Sequence, residues 1–89
     1  MKAIINGLLY DTDKAKMLLE GIYPLEVGKT YMLPYKTPKG RYFTVDTEIK
    51  ENSIEESRLT PQTETEIKSM ICRTSVDLYI KIFGEVEEA

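Results

Sequence analysis

The chain opens with two short apolar runs, Ala3-Ile4-Ile5 and Leu8-Leu9-Tyr10, joined by Asn6-Gly7. Asn-Gly is the strongest short-range signal for a two-residue type I′ hairpin, because both of its residues accept positive φ. The pattern predicts strands over about 2–5 and 8–10. Ile5 and Leu8 fall on one side of this ribbon and Ile4 and Leu9 on the other, so both sides are expected to be covered. Asp11-Thr12-Asp13 then supplies N-cap chemistry, and Ala15, Leu18, Leu19 and Ile22 follow the spacing of one helical stripe. A short helix over about 13–20 is predicted, with Gly21 just past its end. Pro24 and Gly28 interrupt both periodicities and mark 23–28 as a connection.

The clearest strand signal is the pair of segments 30–36 and 41–47, rich in Tyr, Thr, Phe and Val, around Thr37-Pro38-Lys39-Gly40. Pro second and Gly fourth suit a type I turn. With that turn setting the register, Tyr35 faces Tyr42, Leu33 faces Thr44 and Tyr31 faces Asp46. Met32, Pro34, Phe43 and Val45 then form the opposite, core side. Pro34 lacks a backbone donor, which places its strand at a sheet edge.

Residues 48–59 are polar, with isolated Ile49, Ile54 and Leu59, and read as a loop enclosing at most a short strand. Thr60-Pro61 has the form of an N-cap followed by proline at the first helical position. Ile67, Met70 and Ile71 give that helix its inward stripe, and Glu64 and Lys68 are spaced for an i, i+4 pair. The helix is expected to break near Arg73-Thr74-Ser75. Ser75 caps a further helix with Val76, Tyr79, Ile80 and Phe83 inward, Gly84 ends it, and Glu85-Val86-Glu87-Glu88-Ala89 is an acidic tail. The expected architecture is α+β: a small, mostly antiparallel sheet covered on one face by helices, in the order β-β-α-β-β-α-α, as one domain over 1–89 with 85–89 as its tail.

Composition adds mainly exclusions. Eighty-nine residues suffice for one core. No window is apolar enough to cross a bilayer, and the first residues are too short for a secretion signal, so the expected mature start is Met1 and no membrane partner is expected. There is no histidine, and Cys72 is the one cysteine. Ser/His and Cys/His nucleophile pairs are therefore excluded, as are the usual zinc ligand sets. Asp11-Thr12-Asp13 lacks the twelve-residue ligand pattern of a calcium loop. The expectation is a non-enzymatic protein without metal or cofactor, in a reducing cytoplasm, with Cys72 buried and unreactive.

Charge is unevenly distributed. Residues 1–47 carry seven bases and five acids, net +2, and the remainder five bases and ten acids, net −5. An acidic half argues against direct nucleic-acid binding through that surface and suits a basic protein partner.

Three blocks, Ile4-Ile5-Asn6-Gly7-Leu8-Leu9-Tyr10-Asp11-Thr12, Tyr35-Lys36-Thr37-Pro38-Lys39-Gly40-Arg41-Tyr42-Phe43 and the stretch from Ser75 to Glu88, together resemble a group of small accessory proteins. Those proteins are encoded by phages, plasmids and conjugative elements of low-GC Gram-positive bacteria. The resemblance implies a mobile-element origin and no catalytic residue. Anti-CRISPR proteins are an analogy of size, charge and origin, not of motif.

Two sets of residues stand out as candidate partner-binding positions. Tyr31, Tyr35 and Tyr42 are interface anchors or helix-covered core, since tyrosine serves both. Glu48, Glu51, Glu55 and Glu56 imitate nucleic-acid phosphates or simply solvate a polar loop. Lys36, Lys39 and Arg41 sit at a turn tip, too few for firm backbone binding. The functional expectation is a protein inhibitor that binds a host protein or ribonucleoprotein complex, such as a CRISPR effector nuclease. The alternative is a generic interaction or regulatory module of a mobile element, and the sequence leaves the oligomeric state open.

Overall fold

The computed structural model describes residues Met1–Ala89. Strands β1 (Lys2–Ile5) and β2 (Leu8–Asp11) pair antiparallel around Asn6 and Gly7, both at positive φ, as the Asn-Gly signal requires. They form a two-stranded sheet of their own. The second sheet has four antiparallel strands in the order β3-β4-β5-β6: β3 (Lys16–Met17), β4 (Thr30–Lys36), β5 (Tyr42–Ile49) and β6 (Ile54–Gln62). Helices α1 (Glu64–Thr74) and α2 (Val76–Phe83) close the chain. The class is α+β, as expected, but the observed order is β-β-β-β-β-β-α-α.

The helix expected over 13–20 does not form. Asp11 is buried, its Oδ1 accepts the Asp13 N–H, and its carbonyl accepts the N–H groups of Lys14 and Ala15, which closes a single turn. The chain then extends along β4, where Met17 pairs with Tyr35 and the Leu18 N–H donates to the Pro34 carbonyl. A sheet edge with free carbonyls outcompetes a helix too short to stand alone. Leu18 and Leu19 are buried all the same, so the stripe contributes to the core without being helical.

The β4–β5 hairpin forms around the expected turn with its register moved by one residue. Gly40 donates to the Thr37 carbonyl, closing the type I turn, and then adopts φ 85°, so Thr37 pairs onward with the Arg41 carbonyl. This left-handed glycine inserts one residue into the returning strand, the G1 bulge that follows a type I turn in three-residue hairpins. The pairs are therefore Tyr35 with Phe43, Leu33 with Val45, Pro34 with Thr44 and Lys36 with Tyr42. A one-residue slip exchanges faces. Tyr31, Leu33, Tyr35, Phe43, Val45 and Thr47 share one face, and Met32, Pro34, Lys36, Tyr42, Thr44 and Asp46 share the other. Pro34 is next to the edge, since β3 covers only the last residues of β4.

Both faces are buried. On the first, the β1–β2 hairpin delivers Tyr10 edge-on to Phe43, their centroids 5.5 Å apart, and Val45 and Leu59 complete the cluster. The outer side of that hairpin is not covered as expected: Ile4 is 76% exposed and Leu9 56%. On the second face Ile67 and Ile71 of α1 and Leu78 of α2 pack with Tyr42 and Leu18. Leu78, not the expected Val76, is the buried anchor of α2, and Val76 faces solvent.

Residues read as a loop over 48–59 are largely strand. Its pattern is blurred by a bulge between Asp46 and Thr47, where Ser57 drops out of the ladder and its hydroxyl donates to the Asp46 carbonyl. Thr60 and Pro61 lie in β6, an edge strand where a missing donor is tolerated. The helix cap is instead Thr63, in a reciprocal box: its hydroxyl accepts the Glu66 N–H, and the Glu66 carboxylate accepts the Thr63 N–H. Ser75 ends α1 and caps α2, and Gly84 closes α2 at φ 95°. Cys72 is exposed, contrary to expectation, because it points away from the Ile67–Ile71 stripe.

Candidate functional site

The molecule is a slab of about 41 × 35 × 17 Å. The β4–β5 and β5–β6 turns lie at opposite ends of the eight-residue strand β5, roughly 25 Å apart at strand rise. The first end carries Lys36, Lys39 and Arg41, and the second carries Glu48, Glu51 and Glu55. The charge asymmetry of the sequence is thus an asymmetry along the sheet.

At the acidic end, Glu48 and Glu55 stand directly opposite each other across β5 and β6. Like charges so placed repel. Lys50 relieves part of this from within the turn, its Nζ 2.6 Å from Glu55 Oε2. That hydrogen bond, more than the accompanying charge, holds the Glu55 carboxyl below its ordinary range and lifts the Lys50 ammonium above its own. Glu48 and Glu51 are exposed and make no ion pair. Beside them the loop 26–29 is fastened to β5: the Gly28 N–H donates to the Ile49 carbonyl, and the Ile49 N–H donates to that of Lys29. At this end of the sheet Val27 is 63% exposed, and Ile54, which pairs with Ile49 on the far side of β5 from the loop, is 66% exposed. Side chains alternate along a strand, so Ile49 and Ile54 leave one face while Glu48 and Glu55 leave the other.

Glu56 points elsewhere. It is half-buried opposite Thr47, with its Oε1 3.6 Å from the Met1 amine, and lines a groove of about 290 Å³ with Tyr35, Glu20, Leu25 and Leu33. Burial, then the charges of Glu56 and Glu20, pushes the Tyr35 phenol above its ordinary pKa.

The structure does not gather the three tyrosines. Tyr35 is half-buried and stacked on Phe43, centroids 5.0 Å apart at 9°. Tyr31 shares that face but is spoken for, its hydroxyl accepting the Glu26 N–H at 2.9 Å and so pinning the 26–29 loop. Tyr42 is buried on the opposite face beneath the helices. Tyr35 lines a groove on the first face, and Tyr42 is reached only at the floor of a cleft on the other.

Sequence reading missed Val27 and Ile54. The available signal was an isolated Ile54 within a polar run, which belongs to a strand whose outer side is wet. No group of three or more His, Cys, Asp or Glu is arranged to hold a metal ion, and no helix is long and apolar enough to cross a membrane.

Comparison with protein-family models, curated proteins and solved structures finds no match.

Proposed function

We propose that this chain is a non-enzymatic inhibitor encoded by a phage or mobile element, which binds a host defence complex such as a CRISPR effector nuclease. The observation that carries this reading is the β5–β6 end, where Glu48 and Glu55 stand opposite each other with Glu51 in the turn between them, and where Val27 and Ile54 are also exposed. Interfaces combine an apolar centre with a polar rim. The charged side chains at this end are acidic apart from Lys29 and Lys50, each already paired with a neighbouring glutamate. Such a surface matches a basic groove of the kind a nuclease offers its nucleic acid, and charge complementarity speeds association with it.

The free edge of β6 supports a second reading, an interaction or regulatory module that self-associates. Its nine residues end the four-stranded sheet without a partner strand. Glu55, Glu56, Arg58 and Pro61 on that strand are the residue types that discourage edge-to-edge pairing, which weighs toward the inhibitor.

The test is retention of host proteins on the immobilised chain, followed by a nuclease assay with each captured component. The expected result is capture of a nucleic-acid-processing complex, loss of its cleavage activity, and loss of both effects in Glu48→Lys/Glu51→Lys. Absence of any captured defence component, or capture without change in activity, overturns the inhibitor reading.

A further inference from the structure

The opposite end of the sheet holds a second charged arrangement. Lys16 of β3 and Lys36 of β4 are direct antiparallel partners, so both side chains leave the same face. Lys81 of α2 joins them in lining one cleft. The chain's ion pairs engage Lys29, Lys50, Lys68 and the Met1 amine, so all three cleft lysines lack an acidic partner. Glu20 is the one acid among the lining residues, which leaves an excess of two positive charges.

Single lysines on an edge strand guard against strand addition. That role covers Lys16 on the edge strand β3 but not Lys36, where β3 already pairs with β4, nor Lys81 on a helix. Three separate elements converge their cations at the cost of a directly opposed like-charge pair.

The walls behind the charges are apolar. Leu18 and Tyr42 are buried, and Ile22, Ile82 and Phe83 are half-buried around a cleft of about 550 Å³. Lys36 Nζ lies 5.5 Å from the centre of the Tyr42 ring, which holds one cation over the floor. The volume falls within the roughly 300–1,000 Å³ of small-molecule sites, which pair apolar walls with a few converging polar groups. Lysine ammoniums serve phosphate as point charges.

We propose that this cleft binds a phosphorylated small molecule with an apolar or aromatic body, of the nucleoside monophosphate type. The phosphate sits among Lys16, Lys36 and Lys81, and the body lies against Phe83 and Ile82. The site is independent of the acidic end, from which β5 separates it.

The test is a titration of the isotope-labelled full chain, followed by amide NMR, with AMP, hexyl phosphate, inorganic phosphate and a hexaglutamate peptide as separate probes. The expected result is saturable shifts at Lys16, Lys36 and Lys81–Phe83 with AMP or hexyl phosphate, and binding of inorganic phosphate roughly tenfold weaker for want of an apolar body. Lys36→Gln and Lys81→Gln are each expected to weaken binding by roughly tenfold through loss of a charge-assisted contact, with unchanged dispersion of the remaining signals showing that both fold. Glu48→Lys/Glu51→Lys is expected to bind AMP as the wild type does, so this test and that of the inhibitor reading succeed or fail separately. No saturable shift with any phosphate, equal binding by the two glutamine variants, or saturation by hexaglutamate alone would overturn the assignment.

Discussion

Lys16→Glu is expected to stabilise the fold while destroying the proposed phosphate site. Lys16 and Lys36 are direct partners on adjacent strands, whose Cβ atoms in such pairs lie about 4.5–5.5 Å apart. Their ammoniums, on flexible stems in water, settle roughly 7 Å apart, where the repulsion is about 0.6 kcal/mol at the dielectric constant of the solvent. Reversing one charge turns repulsion into attraction of similar size, a swing of about 1.2 kcal/mol. Ordering two long side chains takes back part of it and leaves about 0.5–1 kcal/mol. For 89 residues the unfolding entropy is about 0.19 kcal/mol/K, so Tm rises by about 3–5 °C at low ionic strength. Lys16→Gln removes only the repulsion and should give about half that gain. In 1 M salt, where the screening length is about 3 Å, the gain should fall below about 1 °C. Thermal unfolding followed by circular dichroism at low and high salt reads all of these. An unchanged or lower Tm for Lys16→Glu at low salt would refute the claim that the two lysines are held opposite each other.

Three further expectations concern the frame that positions both ends. Gly40→Ala should lose about 1–2 kcal/mol, because φ is 85° while an added Cβ meets nothing, and Gly40→Asn should lose less; an alanine variant as stable as wild type in urea unfolding would remove the bulge and the register it sets. Phe43→Ala should cost about 3–5 kcal/mol, since the ring is fully buried between Tyr10 and Tyr35, whereas Leu9→Ala on the bare side of the first hairpin should be nearly neutral. The Tyr35 phenol is raised by burial, so the fold favours its neutral form: that contribution is intact below about pH 10 and is lost as pH rises through the folded value. Tyrosinate absorbance should show one late-titrating phenol that Tyr35→Phe removes, and a variant that titrates like wild type would place the burial elsewhere.

What was legible in the sequence was local chemistry. Asn6-Gly7, Ser75 and Gly84 act where their side chains or φ preferences say they should, and Ile67, Met70 and Ile71 form the stripe their spacing describes. What escaped depends on neighbours distant along the chain. Leu18 and Leu19 carry a helical pattern, yet the free edge of β4 drew Lys16 and Met17 into a short strand and the Leu18 N–H to the Pro34 carbonyl, and the two leucines are buried in the turns that follow. Gly40 counted as the end of a turn but also adds a residue to the strand, and that one residue put Tyr42 on the face opposite Tyr31 and Tyr35. β6 hid behind its bulge and its wet edge.

The two ends were legible unequally for the same reason. Glu48, Glu51 and Glu55 are close in sequence, so their acidity was visible at once, though not the exposure of Val27 and Ile54 at the same end of the sheet. Lys16, Lys36 and Lys81 are far apart in the chain and meet only through β3–β4 pairing and the seat of α2. No spacing rule could have found them.

The acidic β5–β6 end is the face that the proposed function presents to a host partner. Amide hydrogen exchange on the chain alone and in its captured complex tests this most directly. Slowed exchange over residues 26–29 and 48–56, with the Lys16, Lys36 and Lys81 surroundings unchanged, is the expected outcome. Protection confined to the lysine cleft or to the outer side of the β1–β2 hairpin would contradict it.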